Sequence, residues 1–249
     1  YNPSFQYFPL PSVTGTGHGN HLYCVFKDYR GYLWLGGTDG LLRINNFLSA
    51  KPSVRWYRVE DVVSPLPHNR IRYIYEDSSH NLWIASDGGL NRYDYGSERF
   101  IRYNIIDRSH TLNSNWTYYI QEDSHGYLWI ATCLGGIFVV NKDKLVSYGN
   151  NGYIADYNIS NKDGLKSMFV NQVVSDNRNN MWALLYNSGV DEIDVKTHKI
   201  NHFSFGNVRP NYVINGRYGN IWIGYSGGVL RIIPKTRKIN KISFYDSND

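Results

Sequence analysis

The chain repeats one short pattern five times. A tryptophan in an apolar strand, then a break containing glycine or asparagine and a second apolar strand, recurs at Trp34, Trp83, Trp129, Trp182 and Trp222. These tryptophans are 49, 46, 53 and 40 residues apart, about 47 on average. Units of this length bury their apolar faces by stacking on similar units. The repetition therefore predicts an architecture, and residues present in every unit are expected to build the scaffold.

Each repeat predicts a tight hairpin that leads into the tryptophan strand. Six residues before the tryptophan stands an aspartate in four repeats and a glycine in the fifth: Asp28, Asp77, Asp123, Asp176 and Gly216. An aspartate side chain can cap the turn backbone, and the Gly and Asn residues that follow accept positive φ. Nine residues before each tryptophan stands an apolar residue that is expected to face a neighbouring unit: Val25, Ile74, Ile120, Val173 and Val213.

The remaining apolar segments complete four short strands per repeat. The outermost strand is predicted at segments such as "KLVSYG" in the third repeat. Four strands per unit without helical periodicity predict an all-β fold, a β-propeller of five roughly 47-residue four-stranded blades. We expect one propeller domain over residues 1–249 that is part of a larger array. The predicted repeats cover about 19–62, 67–108, 113–149, 166–206 and 208–246, and residues 1–12 are predicted to form the outer strand of a preceding blade.

Composition excludes several classes of function. The net charge of +5 is scattered without a block of like charges, which argues against a nucleic-acid-binding arm. Cys24 and Cys133 have no ligand partner at metal-site spacing, so no metal or other cofactor is expected. No run of 18 apolar residues occurs, and the chain does not begin with Met. We expect a piece of a longer protein whose targeting signal and any membrane span lie outside it.

Three segments carry a resemblance to a known family: "VFKDYRGYLWLGGTDGLLRIN", "IYEDSSHNLWIASDGGLNRYD" and "IQEDSHGYLWIATCLGGIFVVN". They resemble the two-component regulator propeller repeat, although Ala183, Leu184 and Leu185 and Gly216 depart from it. The resemblance implies a seven-bladed type of propeller in the periplasmic sensor region of a Bacteroidetes hybrid histidine kinase and response regulator. It also implies a non-catalytic domain that binds an oligosaccharide from a complex glycan and relays the signal to a kinase outside these residues.

Candidate ligand contacts are the residues that differ between repeats where the chain enters each inner strand. They are His21, Tyr23, Arg70, Arg72, Trp116, Tyr118, Asn171, Arg209, Asn211 and Tyr212. Aromatic faces stack on sugar rings, and arginine binds carboxylate or sulfate through two hydrogen bonds. An acidic oligosaccharide would suit Arg70, Arg72 and Arg209 if the three converge. The alternative is that these arginines pair with neighbouring carboxylates.

Two other classes of function compete with a sensor. A propeller can serve as a protein-interaction or dimerisation platform, because the fold does not fix the function. A propeller glycosidase needs two or three suitably spaced carboxylates. Asp39 and Asp87 are one position out of step relative to their tryptophans, which places them on different sides of their strands. The eight histidines show no HxH spacing. Glycosidase and metal-dependent lyase activities are therefore disfavoured.

Overall fold

Five four-stranded antiparallel sheets follow one another along the chain in a computed structural model, which describes residues 21–49, 51–103, 105–106, 116–148, 153–176 and 178–244. In each sheet the spatial order of the main strands follows chain order, and the inner strands of successive sheets pack side by side. The all-β blade architecture predicted from the repeat is confirmed. Residues 1–12, predicted as an outer strand, lie outside the described residues.

The strand bounds are as follows. Blade 1 contains β1 (Leu22–Lys27), β2 (Leu33–Gly37), β3 (Gly40–Asn45) and β4 (Ser53–Tyr57). Blade 2 contains β5 (Ile71–Glu76), β6 (Leu82–Ser86), β7 (Gly89–Asp94) and β8 (Arg99–Tyr103). Blade 4 contains β15 (Val170–Ser175), β16 (Asn180–Leu185), β17 (Gly189–Asp194) and β18 (Ile200–Phe203). Blade 5 contains β19 (Pro210–Asn215), β20 (Ile221–Tyr225), β21 (Gly228–Ile233) and β22 (Lys238–Ser243).

Blade 3 departs from the prediction in its outer part. It contains β10 (Thr117–Glu122), β11 (Tyr127–Thr132), β12 (Ile137–Asn141) and β14 (Tyr157–Ile159), and a short parallel pair joins β9 (Ile105–Ile106) to β13 (Tyr153–Ile154). The segment "KLVSYG", predicted as the outer strand, falls largely within helix α1 (Lys142–Tyr148). The prediction was wrong because Leu145 packs into the core between blades 2 and 3 from a helical turn. The 3₁₀ turn Asn161–Asp163 then leads towards blade 4.

The core lies between the blades. Trp83 of blade 2 packs against blade 3, and Trp129 of blade 3 packs against blade 4. Ile74, Ile120, Val173 and Val213 are buried as predicted. Val25 is 60% exposed, contrary to prediction, because no described blade packs against the side of blade 1 that faces away from blade 2.

The recurring aspartate bonds its own tryptophan as well as capping the turn. Asp123 accepts hydrogen bonds from the His125 and Tyr127 amides at 2.8 and 3.0 Å and from Trp129 Nε1 at 2.8 Å. The same indole contact measures 2.8 Å in blades 1 and 2 and 3.1 Å in blade 4. In blade 5 a Cβ on Gly216 would lie 2.6 Å from Trp222 Nε1. The ring of Trp222 therefore occupies the space that the aspartate fills elsewhere.

Candidate functional site

Every inner strand carries a β-bulge near its start. The pairing with the second strand shifts register across one residue in each blade, and the bulged residues are Tyr23, Arg72, Tyr118, Asn171 and Asn211. A bulge bends the strand and re-aims a side chain, and such bulges are common beside functional sites. All five bulged residues were predicted as ligand contacts. They lie on what we call the entry face, formed by the inner-strand starts and the loops between second and third strands.

Arg72 lies at the centre of a cluster on this face. Its guanidinium carbon is 4.5 Å from the Tyr118 ring centroid and 5.7 Å from that of Tyr23. Its Nε and Nη2 atoms donate to both oxygens of Asp87 at 2.6 and 3.0 Å. The bidentate pair fixes the plane of the guanidinium, which stacks between two aromatic rings from neighbouring blades.

Asp87 also neutralises much of the local positive charge. It is 6% exposed, and Arg70 Nη1 lies 3.5 Å from its Oδ2 atom. Burial lowers the pKa of Arg72, but the hydrogen bond and charge of Asp87 outweigh this effect and the net shift is upward. Arg72 therefore remains charged and is held by the protein itself. The pairing with carboxylates considered from the sequence is the arrangement that Arg70 and Arg72 adopt.

An aromatic ladder continues from Arg72 across blades 3 and 4. Tyr118 meets Phe169 edge-on with ring centroids 5.1 Å apart, and Phe169 stacks on Tyr186 at 4.8 Å. Tyr186 is 52% exposed at the end of this series, and Trp116 is similarly exposed. We use "aromatic ladder" for Tyr118, Phe169 and Tyr186. Its exposed faces are suited to stacking on the apolar faces of sugar rings.

Sequence reasoning missed Phe169 as a contact residue. Phe169 stands 13 residues before its tryptophan, as do His21, Arg70, Trp116 and Arg209. In the first four blades the carbonyl of this residue accepts a hydrogen bond from the loop between the second and third strands, as Phe169 does from the Tyr186 amide at 3.0 Å. Strict alignment on the tryptophans would have found it. Tyr186 lies in the loop between β16 and β17.

The remaining predicted residues do not form one cluster with Arg72. His21 closes the first-blade loop: its amide donates to Thr38 Oγ1 at 3.2 Å and its carbonyl accepts from the Thr38 amide at 3.0 Å. Asn171 is partly buried, whereas Asn211 and Tyr212 are exposed on blade 5. Arg209 lines a separate groove between blades 4 and 5. Arg70 and Arg72 share Asp87, whereas Arg209 lines this groove, and blades 3 and 4 stand between them along the chain.

A second aromatic contact connects inner strands one position further along. Tyr73 and Tyr119 stack with ring centroids 3.7 Å apart. Burial is the main cause that raises the pKa of both phenols, so both stay neutral. In the next blade Gln172 bonds the backbone of Val213 through its amide nitrogen at 2.8 Å and its oxygen at 2.9 Å. These contacts hold neighbouring inner strands together beneath the entry face.

The acids considered for catalysis have separate partners. Asp39 binds Arg58 at 2.8 Å, whereas Asp87 binds Arg72. The described part of the chain contains no group of three or more His, Cys, Asp or Glu side chains arranged to hold a metal ion. Cys24 and Cys133 are both thiols, and burial raises the pKa of Cys24 to about 12. None of the described helices is long and apolar enough to span a membrane.

Comparison with known proteins agrees with this blade anatomy. The two component regulator propeller family matches residues 65–88 and 111–133, the hairpin segments of blades 2 and 3. The chain therefore contains two component regulator propeller repeats. The extracellular domain of the putative hybrid two component system BT4673 from B. thetaiotaomicron shares 47% identity with it over 98% of this chain, with a TM-score of 0.90. The chain spans 34% of that relative.

More distant structures share the fold alone. The extracellular domain of the putative hybrid two component system BT3049 from B. thetaiotaomicron is 19% identical over 92% of this chain and 31% of its own, with a TM-score of 0.73. Virginiamycin B lyase from Staphylococcus aureus is 15% identical over 92% of this chain and 71% of its own, with a TM-score of 0.67. The sequence has no significant match among curated proteins.

Proposed function

We propose that this propeller is part of the periplasmic sensor region of a hybrid two-component regulator, and that its entry face binds an oligosaccharide derived from a complex glycan. The bound state would be relayed to a kinase elsewhere in the parent protein. The observation that carries the proposal is the aromatic ladder, which continues from the fixed guanidinium of Arg72 to the exposed ring of Tyr186. The relation to a sensor-domain relative supports the signalling role.

The ladder is pre-organised for a flat ligand. Bulges at Arg72 and Tyr118 direct these side chains to the entry face, and Asp87 fixes the Arg72 guanidinium. A rigid aromatic surface loses little side-chain entropy on binding, which favours affinity for a ligand with an apolar face. Sugars combine such faces with hydroxyl groups, and polar residues such as Asn187 stand beside the ladder to bond them.

A thermal-shift panel of neutral and acidic oligosaccharides tests the proposal. A ligand at one hundred times its Kd stabilises the folded chain by about 2.7 kcal/mol, which corresponds to roughly 5–10 °C for a domain of this size. Tyr186→Ala is expected to remove most of the shift. The matched control is Tyr218→Ala, whose side chain is 85% exposed in the β19–β20 hairpin on the opposite face. A broad panel that gives no shift with the folded protein would contradict the proposal.

A second candidate function is association through the end blades. Val25 on blade 1 and Ile214 and Ile242 on blade 5 are large apolar side chains exposed to solvent. Exposed apolar surface of this kind is typical of interfaces. Light scattering over a range of concentrations tests it: a mass that rises with concentration and falls in Val25→Ser supports association, and a constant monomer mass contradicts it.

A further inference from the structure

A groove of about 670 Å³ lies between blades 4 and 5 on the entry face. Its walls come from the loop between β16 and β17, from β18 and from the two joins that flank blade 4. The polar side chains that line the groove include Lys166, Asn187, Ser204, Asn207, His202 and Arg209. Asn187 directly follows Tyr186, the last member of the aromatic ladder. The groove is therefore a continuation of the ladder towards blade 5.

The groove has the opposite charge arrangement from the Arg72 cluster. Arg70 and Arg72 share the carboxylate of Asp87, but among the described residues Lys166 and Arg209 have no carboxylate within 4.0 Å. None of the residues that line the groove is acidic. Two cations thus face a volume that lies within the range of small-molecule sites.

Asp191, which contacts two residues of the groove wall, is buried and already bonded. Asp191 is 0% exposed; its Oδ1 atom lies 2.6 Å from His202 Nδ1, and its Oδ2 atom accepts the Lys166 amide at 3.2 Å. Burial raises the pKa of Asp191, and the bond to His202 opposes that shift. Both carboxylate oxygens of Asp191 are therefore engaged. Because Asp191 holds the Nδ1 atom of His202, the Nε2 atom of His202 is the ring nitrogen available to a ligand.

We propose that this groove binds the acidic group of a saccharide, a carboxylate or a sulfate, through Lys166, Arg209 and His202. The inference rests on the proposed function, in that the aromatic ladder holds the adjoining sugar ring. The amide and hydroxyl groups of Asn187, Ser204 and Asn207 supply further hydrogen bonds to the same ligand. Uronic acids and sulfated sugars share this chemistry, and the experiment separates them.

Thermal-shift titrations at one fixed ionic strength test the inference with three probes: D-glucuronate, glucose 6-sulfate and uncharged methyl glucoside. Fixed ionic strength is needed because exposed charges are screened by salt. Both acidic probes, or the one that fits the groove, are expected to bind more tightly than methyl glucoside. Lys166→Gln combined with Arg209→Gln is expected to raise the Kd of the acidic probe at least tenfold, because the loss of even one charge-assisted hydrogen bond has about that effect.

Controls separate this inference from the proposed function. Arg209→Lys should retain most of the binding, and Lys144→Gln, which removes an exposed charge from α1, should change nothing. Equal affinity for acidic and uncharged probes, or an unchanged Kd in the double variant, would overturn the groove as an anion site. If uncharged sugars still bind in a manner that depends on Tyr186, the proposed function survives that result. If neither acidic nor uncharged saccharides bind, both the groove as an anion site and the proposed function are contradicted.

Discussion

Replacing Asp123 tests the bond between the recurring aspartate and its tryptophan. Asp123 is 8% exposed and accepts three hydrogen bonds, from the His125 amide, the Tyr127 amide and Trp129 Nε1. In Asp123→Asn, one oxygen must become an NH₂ group. That group then faces either the turn amides or the indole N–H, and a donor opposite a donor forms no bond.

The loss of stability in Asp123→Asn depends on which N–H groups lose their hydrogen-bond acceptor. Trp129 is fully buried, so an unpaired indole N–H costs about 1–3 kcal/mol. The two turn amides lie nearer the surface, and each lost bond costs about 0.5–1.5 kcal/mol. The oxygen that Asn retains still accepts from one of these two sets, so either the indole bond or the two turn bonds are lost, and we expect Asp123→Asn to lose about 1–3 kcal/mol.

Urea unfolding followed by tryptophan fluorescence and far-UV circular dichroism measures this loss. The midpoint should fall by roughly 0.5–1.5 M urea while the m-value stays constant, since the surface exposed on unfolding is unchanged. Glu60→Gln is the matched control, because Glu60 is an exposed acid undergoing the same chemical change. A loss below about 1 kcal/mol with coincident transitions would refute the reasoning that this bond stabilises the blade.

Three further perturbations follow from the same packing. Gly216→Ala should destabilise the chain by about 1–3 kcal/mol, because the new Cβ would lie 2.6 Å from Trp222 Nε1. The control is Gly96→Ala, whose Cβ would have its nearest contact at 3.7 Å and which should be near neutral. Equal melting temperatures for the two variants would contradict this expectation. Glu122→Gln should cost about 3–5 kcal/mol in urea unfolding because it leaves Lys142 buried without its partner, and Lys142→Met in the same chain should recover part of the loss. Burial of Asp176 raises its pKa, but bonds from Trp182 Nε1 and two turn amides outweigh burial and lower it. The contribution of Asp176 to the free energy of unfolding is therefore present above about pH 4 and is lost as the pH falls through the folded pKa. In Asp176→Asn, the free energy of unfolding should depend less on pH in this acidic range.

The blade scaffold could be predicted because its determinants are local. Asp123 and Trp129 are six residues apart, and the hairpin between them fixes their relation whatever lies elsewhere in the chain. The period of the tryptophans then specified four strands per unit. The helix at Lys142–Tyr148 escaped prediction because its sequence is compatible with a strand, and the burial of Leu145 between two blades selects the helix.

The positions of the bulged residues can be read from the sequence, but their contacts cannot. The bulged residue of each inner strand, such as Arg72 or Tyr118, can be located from the number of residues that separate it from the tryptophan of its blade. Which carboxylate lies beside Arg72 cannot be read in that way. Asp87 is one of several acids in blade 2, and only the bulge aligns both of its oxygens with the guanidinium.

By itself the sequence determined the repeat, the turn chemistry and the column of residues that each blade presents on the entry face. These follow from hydrogen bonds and strand alternation within one repeat. The tertiary structure alone decided that Phe169 joins Tyr118 to Tyr186 and that Lys166 and Arg209 share a groove with His202. The physical reason is that these contacts cross from one blade to the next. They depend on the rotation between packed sheets, which the summed burial of many side chains sets.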